Sequence, residues 1–265
     1  MTKHILSCTT VLVEVELWCL EEPAPLLRQD TMVYDDGMKK LVIANWKSHK
    51  DSHTIAEWVP AFTAKMGKTL VPSKVEVSIA PSSPFIPLVS EMLSHGVSVT
   101  AQDVSQFPQG KYTGATAATQ LASLGVAYAI VGHSERRRYF HETHQEVANK
   151  AEQCIEAGIT PIVCVDDEYV AAQASALPTE LAQKCVVAYE ALSAIGTGNN
   201  VDASQVSETT AQIKELFGKV PVLYGGSVTA GNVAEYADIS DGWLVGTASL
   251  SIDDFLSLLT TIANF

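Results

Sequence analysis

Basic residues are scarce in this chain. Seventeen Lys and Arg stand against 30 Asp and Glu, a formal net charge of −13 over 265 residues. Phosphate backbones need clustered Lys and Arg, so this balance argues against nucleic-acid binding. It does not exclude an anionic small molecule, because a few local groups can dominate a site. Cysteine is sparse too. Cys8, Cys19, Cys154, Cys164 and Cys185 are odd in number and irregularly spaced, with no CxxC. A disulfide framework is not expected and a zinc site has no signature. Reduced thiols in a cytoplasm are the expectation. No run approaches the roughly 18 apolar residues of a membrane span. The apolar stretch from Ile5 does not read as a signal peptide, because Glu14 and Glu16 interrupt it. What is present is ordinary for a folded chain: 47% hydrophobic and 18% charged residues, with length for one large domain or two small ones.

Residues 1–37 read differently from the rest. Val11–Trp18 partly alternates, as a strand would, and is followed by the turn-like EEPAPLL and an acidic YDDG. The segment carries two basic and seven acidic residues; without it 15 basic and 23 acidic remain, a net of −8. One strand without a partner cannot satisfy its own backbone. The expectation is a dispensable extension, or the product of a start upstream of a true start at Met38.

From Met38 a rhythm sets in. Short β-branched runs occur at 40–45, 75–80, 97–101, 128–132, 160–165, 185–189, 220–224 and 242–246. Helical patterns lie between them. Residues 52–67 put Ile55, Trp58, Phe62 and Met66 on one face; 143–158 do the same with Val147, Ala151, Cys154 and Ile155. Gly158 and Gly218 stand where helices 143–158 and 203–218 would end, and 251–265 is a last apolar-faced helix. Eight strands alternating with helices require parallel pairing with right-handed crossovers. Eight such units in about 230 residues predict a closed (β/α)8 barrel over 38–265. A doubly wound open sheet fits less well, because no GxGxxG follows the first strand.

Both architectures place chemistry at the C-terminal ends of strands. Those positions hold Asn45 and Lys47 after the first strand, His133, Ser134 and Glu135 after the fourth, and Glu190 after the sixth. Gly225-Gly226-Ser227 follows the seventh and Gly246-Thr247 the eighth. A carboxylate can take a proton from carbon beside a carbonyl, and a neutral imidazole can polarise that carbonyl. An ammonium stabilises the charge that develops. Gly-containing turns that open helices present N–H groups to phosphate. Each residue alone has a blander reading: a solvated Lys47, a structural His133, a helix-capping Glu190, a common Gly-Gly turn, surface or interface ion pairs for Arg136 and Arg137. Together they point to proton abstraction beside a carbonyl on a small phosphorylated substrate.

The motifs Asn45-Trp46-Lys47, Ala101-Gln102-Asp103, Gly132-His133-Ser134-Glu135-Arg136-Arg137, Ala188-Tyr189-Glu190, Ala194-Ile195-Gly196-Thr197-Gly198 and Tyr224-Gly225-Gly226-Ser227-Val228 follow in order, with Asp241-Gly242 and Leu244-Val245-Gly246 after them. In this order, over residues 38 to about 250, the chain resembles the triosephosphate isomerase family. The resemblance implies a TIM barrel that interconverts dihydroxyacetone phosphate and D-glyceraldehyde 3-phosphate in glycolysis and gluconeogenesis. It implies Glu190 as base, His133 as neutral electrophile, Lys47 as the cation that steadies an enediolate, Asn45 as an orienting group and Glu135 as a supporting carboxylate. It implies phosphate binding by backbone N–H groups at Gly196, Ser227, Gly246 and Thr247. It implies a lid of Ala191, Leu192, Ser193, Ala194, Ile195, Thr197 and Gly198 around Gly196. No metal or organic cofactor is implied. The loop 102–114 resembles one that docks into a neighbouring subunit, so a homodimer, or a tetramer as in some trimmed members, is expected in the cytoplasm.

The chain departs from the family in places. Glu-Pro-x-Trp is usual at the lid start; here Glu190-Ala191-Leu192-Ser193 stands instead. Losing the proline's fixed φ and the aromatic anchor predicts a slower or looser lid. Gly246-Thr247 replaces two glycines, and a Thr there keeps its N–H usable if φ is negative. Ala115 stands where Glu is common. Only 25 residues separate Cys164 from Glu190, so the fifth helical region, around 168–178, is expected to be short. Two alternatives rank below this reading: isomerisation of a related four-carbon ketose phosphate, which Thr247 and the altered lid motivate and the intact Asn45-Trp46-Lys47 and Ala194–Gly198 motifs oppose, and a catalytically weak paralogue kept for binding. Retention of Asn45, Lys47, His133, Glu135 and Glu190 argues against the last.

Overall fold

Runs rich in Val, Ile and Ala, too short for buried helices, form strands that are apolar on both faces. Such strands need cover on both sides. A computed structural model describes residues 39–67, 74–93, 96–192 and 201–265 and shows how that cover is supplied. The strands are β1 (Lys40–Asn45), β2 (Val75–Ala80), β3 (Val97–Ala101), β4 (Val126–Val131), β5 (Thr160–Val165), β6 (Val186–Tyr189), β7 (Val222–Tyr224) and β8 (Gly242–Val245). All pair in parallel, each with its sequence neighbours, and β8 closes on β1. This is the closed barrel expected from the sequence. The strand-like reading of Val11–Trp18 falls outside the described residues.

Alternation along each strand sorts the side chains into two layers. Leu41, Ile43, Ile130, Ile162, Leu223 and Leu244 form a cluster made of strand residues and fill the barrel. Their neighbours, such as Val42, Ala44, Val77 and Val163, join the helices' apolar faces in a larger outer cluster. In the β2–β3 region a polar pair is tolerated because it is self-satisfied: Ser78 and Thr100 are buried with hydroxyls 2.6 Å apart.

Helices α1 (Ser52–Met66), α2 (Ile86–Met92), α3 (Ala118–Ser123), α4 (Ser134–Phe140), α5 (His144–Glu156), α6 (Val170–Ala176), α7 (Thr179–Ala182), α8 (Ala203–Phe217) and α9 (Ile252–Ile262) lie between and after the strands, with short 3₁₀ turns at Ser83–Phe85, Val233–Tyr236 and Thr247–Ser249. Local chemistry sets the ends of the long ones. Asp51 and Thr54 make a reciprocal cap at α1, as do Thr143 and Glu146 at α5, while Asp202 and Ser251 cap α8 and α9. Gly158 and Gly218 follow α5 and α8 with φ of 77° and 88°, a backbone state that side chains resist. The face expected for α1 is the one buried: Ile55, Trp58, Phe62 and Met66. The fifth crossover is short as expected, with α6 and α7 spanning seven and four residues. Among the described residues no helix is long and apolar enough to cross a membrane.

Candidate active site

The C-terminal ends of the strands surround a cavity of about 610 Å³. Asn45, Lys47, His133 and Glu190 line one side of it, and Ser227, Gly246 and Thr247 line another. Seven residues drawn from five strand ends therefore share one space.

Lys47 arrives there through a strained backbone. Its φ is 49°, in the left-handed region that costs a non-glycine residue about 1–2 kcal/mol. Three side chains hold it. Asn45 Oδ1 accepts the Lys47 N–H at 3.0 Å; Ser82 Oγ and Gln102 Nε2 donate to the Lys47 carbonyl at 3.0 and 2.9 Å. The ammonium then pairs with Glu135 Oε1 at 2.7 Å. Ser82 and Gln102 had no role in the sequence reading, although Gln102 lies in one of the quoted motifs.

His133 caps the N-terminus of α4. Its Nδ1 accepts the Glu135 N–H at 3.2 Å, which leaves the proton of the neutral ring on Nε2. Nε2 faces Glu190 Oε1 at 3.0 Å. Glu190 is 2% exposed, yet its charge is satisfied. Ser134 donates its backbone N–H to Oε2 at 2.7 Å and its hydroxyl to Oε1 at 3.0 Å. Ser134 was visible in the strand-end run, but sequence alone gave no sign that it holds the carboxylate. Cys164 lies beside this pair. Burial first, and then the Glu190 charge, push its thiol well above the ordinary range, so it keeps its proton.

The other side of the cavity is built from tight turns. A Cβ at Gly226 would lie 2.2 Å from the Tyr224 hydroxyl, so only glycine fits. Asn232 fastens the turn by donating to the Ser227 carbonyl and accepting the Thr229 N–H, both at 2.8 Å. Among the described residues, positive φ outside glycine occurs only at Lys47 and His141. Thr247 therefore takes an ordinary φ and opens a 3₁₀ turn, Thr247–Ser249, with its N–H at the turn's start. Ala191 is buried and Leu192 half exposed; Ser193, Ala194, Ile195, Gly196, Thr197 and Gly198 lie outside the described residues. Among the described residues no group of His, Cys, Asp and Glu is arranged to hold a metal ion.

A family model described as triosephosphate isomerase matches residues 40–262. The triosephosphate isomerase of Thermus thermophilus is 39% identical to this chain over 246 residues, covering 83% of this chain and 97% of that protein. Those of Mycoplasma pneumoniae and Idiomarina loihiensis are 34% and 38% identical, covering 84% and 82% of this chain and 99% and 96% of their own lengths. With a closed eight-stranded barrel, a cavity at its strand ends and a match over most of its length, the chain belongs to the triosephosphate isomerase family.

Proposed function

We propose that the chain interconverts dihydroxyacetone phosphate and D-glyceraldehyde 3-phosphate by proton transfer. The observation that carries this reading is the convergence of Glu190, His133 and Lys47 on one cavity whose far wall is made of glycine-containing turns. The phosphate sits against the N–H groups at Ser227, Gly246 and Thr247, with Gly196 expected to add another. Glu190 gives up Ser134 and the His133 Nε2–H and removes a proton from C1 of the ketose. The electron pair moves into a C1–C2 double bond, and negative charge grows on the C2 oxygen. His133 Nε2–H and the Lys47 ammonium face that oxygen. Returning the proton to C2, with the hydroxyl proton shuttled between the oxygens, gives the aldose. No atom is gained or lost. Asn45 and Glu135 act through Lys47, which they hold by its backbone and its ammonium.

The test is steady-state isomerisation of D-glyceraldehyde 3-phosphate by the full chain and by Glu190→Gln. The variant is expected to lose about 10³-fold in kcat, within the range for a general base. An inactive full chain, or a variant as fast as the parent, overturns the reading.

A homodimer joined through residues 102–114 belongs to the same proposal, with residues 1–37 as a dispensable extension and 38–265 as the isomerase domain. Phe107 and Tyr112 on that loop stack with ring centres 4.5 Å apart and are each 42% exposed, and Phe107 also lines a second cavity of about 440 Å³. The described cysteines, Cys154, Cys164 and Cys185, are free. That supports a reducing compartment, the cytoplasm.

A further inference from the structure

Arg137 sits where a cation is expensive. It lies in α4 and is 8% exposed. An ion pair is the ordinary state of such an arginine, and Arg136 next door has two, with Asp103 and Glu142. Arg137 has none among the described residues. Its donors go to neutral acceptors instead: Nε to the Gly132 carbonyl at 2.8 Å, Nη2 to the Cys164 carbonyl at 3.2 Å and to Gln173 Oε1 at 2.8 Å. Nη1 meets His144 Nδ1 at 3.3 Å, and the guanidinium lies 5.0 Å from the Tyr169 ring centre. Burial lowers its pKa, but a guanidinium keeps its proton at any working pH. An apolar side chain of similar volume would fill this space at lower cost.

The position of those acceptors gives the charge a use. The Gly132 carbonyl belongs to the peptide that carries the His133 N–H, so Nε fixes the plane from which the imidazole hangs. Gly132 has φ of 70°, and a Cβ there would meet Arg137 Nη2 at 2.7 Å. The glycine and the guanidinium therefore fit as a unit. Nη2 also holds Cys164 on β5, which pairs with Ala188 on β6, two residues before Glu190. One planar fork thus ties the ends of β4 and β5 beneath the His133–Glu190 pair.

We propose that Arg137 is a positioning residue, whose guanidinium aims His133 by fixing the Gly132–His133 peptide. His133 is called on most as charge develops on the reacting oxygen, so misaiming it lowers kcat and leaves KM nearly unchanged. The kinetic arm of the test rests on the isomerase reading; the spectroscopic arm does not. Arg137→Met is expected to cut kcat by at least about tenfold with KM within about twofold, given what small misplacements cost in a preorganised site. The His133 imidazole ¹⁵N–¹H signals are expected to move with it. Arg137→Lys keeps one donor for the Gly132 carbonyl and is expected to recover part of kcat. Unchanged kcat and unchanged His133 signals in a less stable Arg137→Met protein overturn the proposal and leave only a brace. If Arg137→Met does not fold, Gln173→Leu frees one arm of the fork. It is expected to lower kcat in the same direction and shift the same signals; no change in either is again fatal. A parent chain without isomerase activity would sink the isomerase reading, while the His133 signals would still decide the role of Arg137.

Discussion

Lys47 combines an unfavourable backbone with a charge that needs exact aim. A left-handed lysine persists only where its surroundings over-determine it. Here that means three hydrogen bonds, one from the Lys47 N–H to Asn45 and one each from Ser82 and Gln102 to the Lys47 carbonyl. Asn45 is 5% exposed, and its Oδ1 is the acceptor for the Lys47 N–H. Asn45→Ala leaves that N–H without its partner while the strain remains. The expected result is a loss of roughly tenfold in kcat, since a slightly displaced ammonium meets the developing charge less well. Stability is expected to fall by about 1 kcal/mol, or a few degrees in Tm for a chain of this size. Steady-state kinetics with calorimetry checks both. An active variant with only the Tm change would mean that Ser82 and Gln102 suffice to hold the lysine. Types and order of residues made Asn45, Lys47, His133 and Glu190 legible in the sequence, because each stands at or just beyond the end of a β-branched run. The left-handed φ of Lys47 was not legible, because side chains 35 and 55 positions away hold its carbonyl.

At the scale of elements, the strands were legible because burial on both faces leaves a plain run of apolar residues. Their ends were less so: β4 was expected at 128–132 and spans Val126–Val131, and β7 at 220–224 spans Val222–Tyr224. Nothing local marks where pairing begins. The burial of Arg137 was hidden for a related reason, since its acceptor Gln173 lies 36 residues on, in the shortened crossover. Strand β6 carries a pH consequence. Cys185 precedes it and Tyr189 ends it; burial pushes both up to about 12, helped at Tyr189 by its hydrogen bond to Asp167. Their ordinary values are 9.0 and 10.0. Between those values and about 12 the folded chain holds protons that the unfolded chain has released. The stability these groups contribute is therefore full below pH 9 and is lost as pH rises toward 12. Urea midpoints at pH 8, 10 and 11 should fall in that order. Cys185→Ala should flatten the first step, and an equally steep fall in the variant would assign it to other groups.

For the whole molecule, the question is what covers the aromatic surface around loop 102–114. Phe107 and Tyr112 are each 42% exposed, and Tyr139 and Phe140 at the end of α4 are 63% and 66% exposed. Loop and helix are joined at their base, where Arg136 bridges Asp103 and Glu142, Lys150 pairs with both carboxylates, and Arg136 stacks under Phe140. A loop of this length keeps its shape through such anchors, which leave its tip presented rather than buried. Covering a large side chain is worth about 1.5–3 kcal/mol, and a stable interface buries about 800 Å² on each partner. In the proposed homodimer a second copy of the chain, offering its own loop to the cavity beside Phe107, would supply both. The full chain is therefore expected to sediment as a dimer at micromolar concentration. Phe107→Asp puts a charge where the ring would be buried, and is expected to weaken association by at least about 100-fold, enough to show monomer at the same concentration. A parent chain that sediments only as monomer, or a variant that stays dimeric, would count against this surface as the interface.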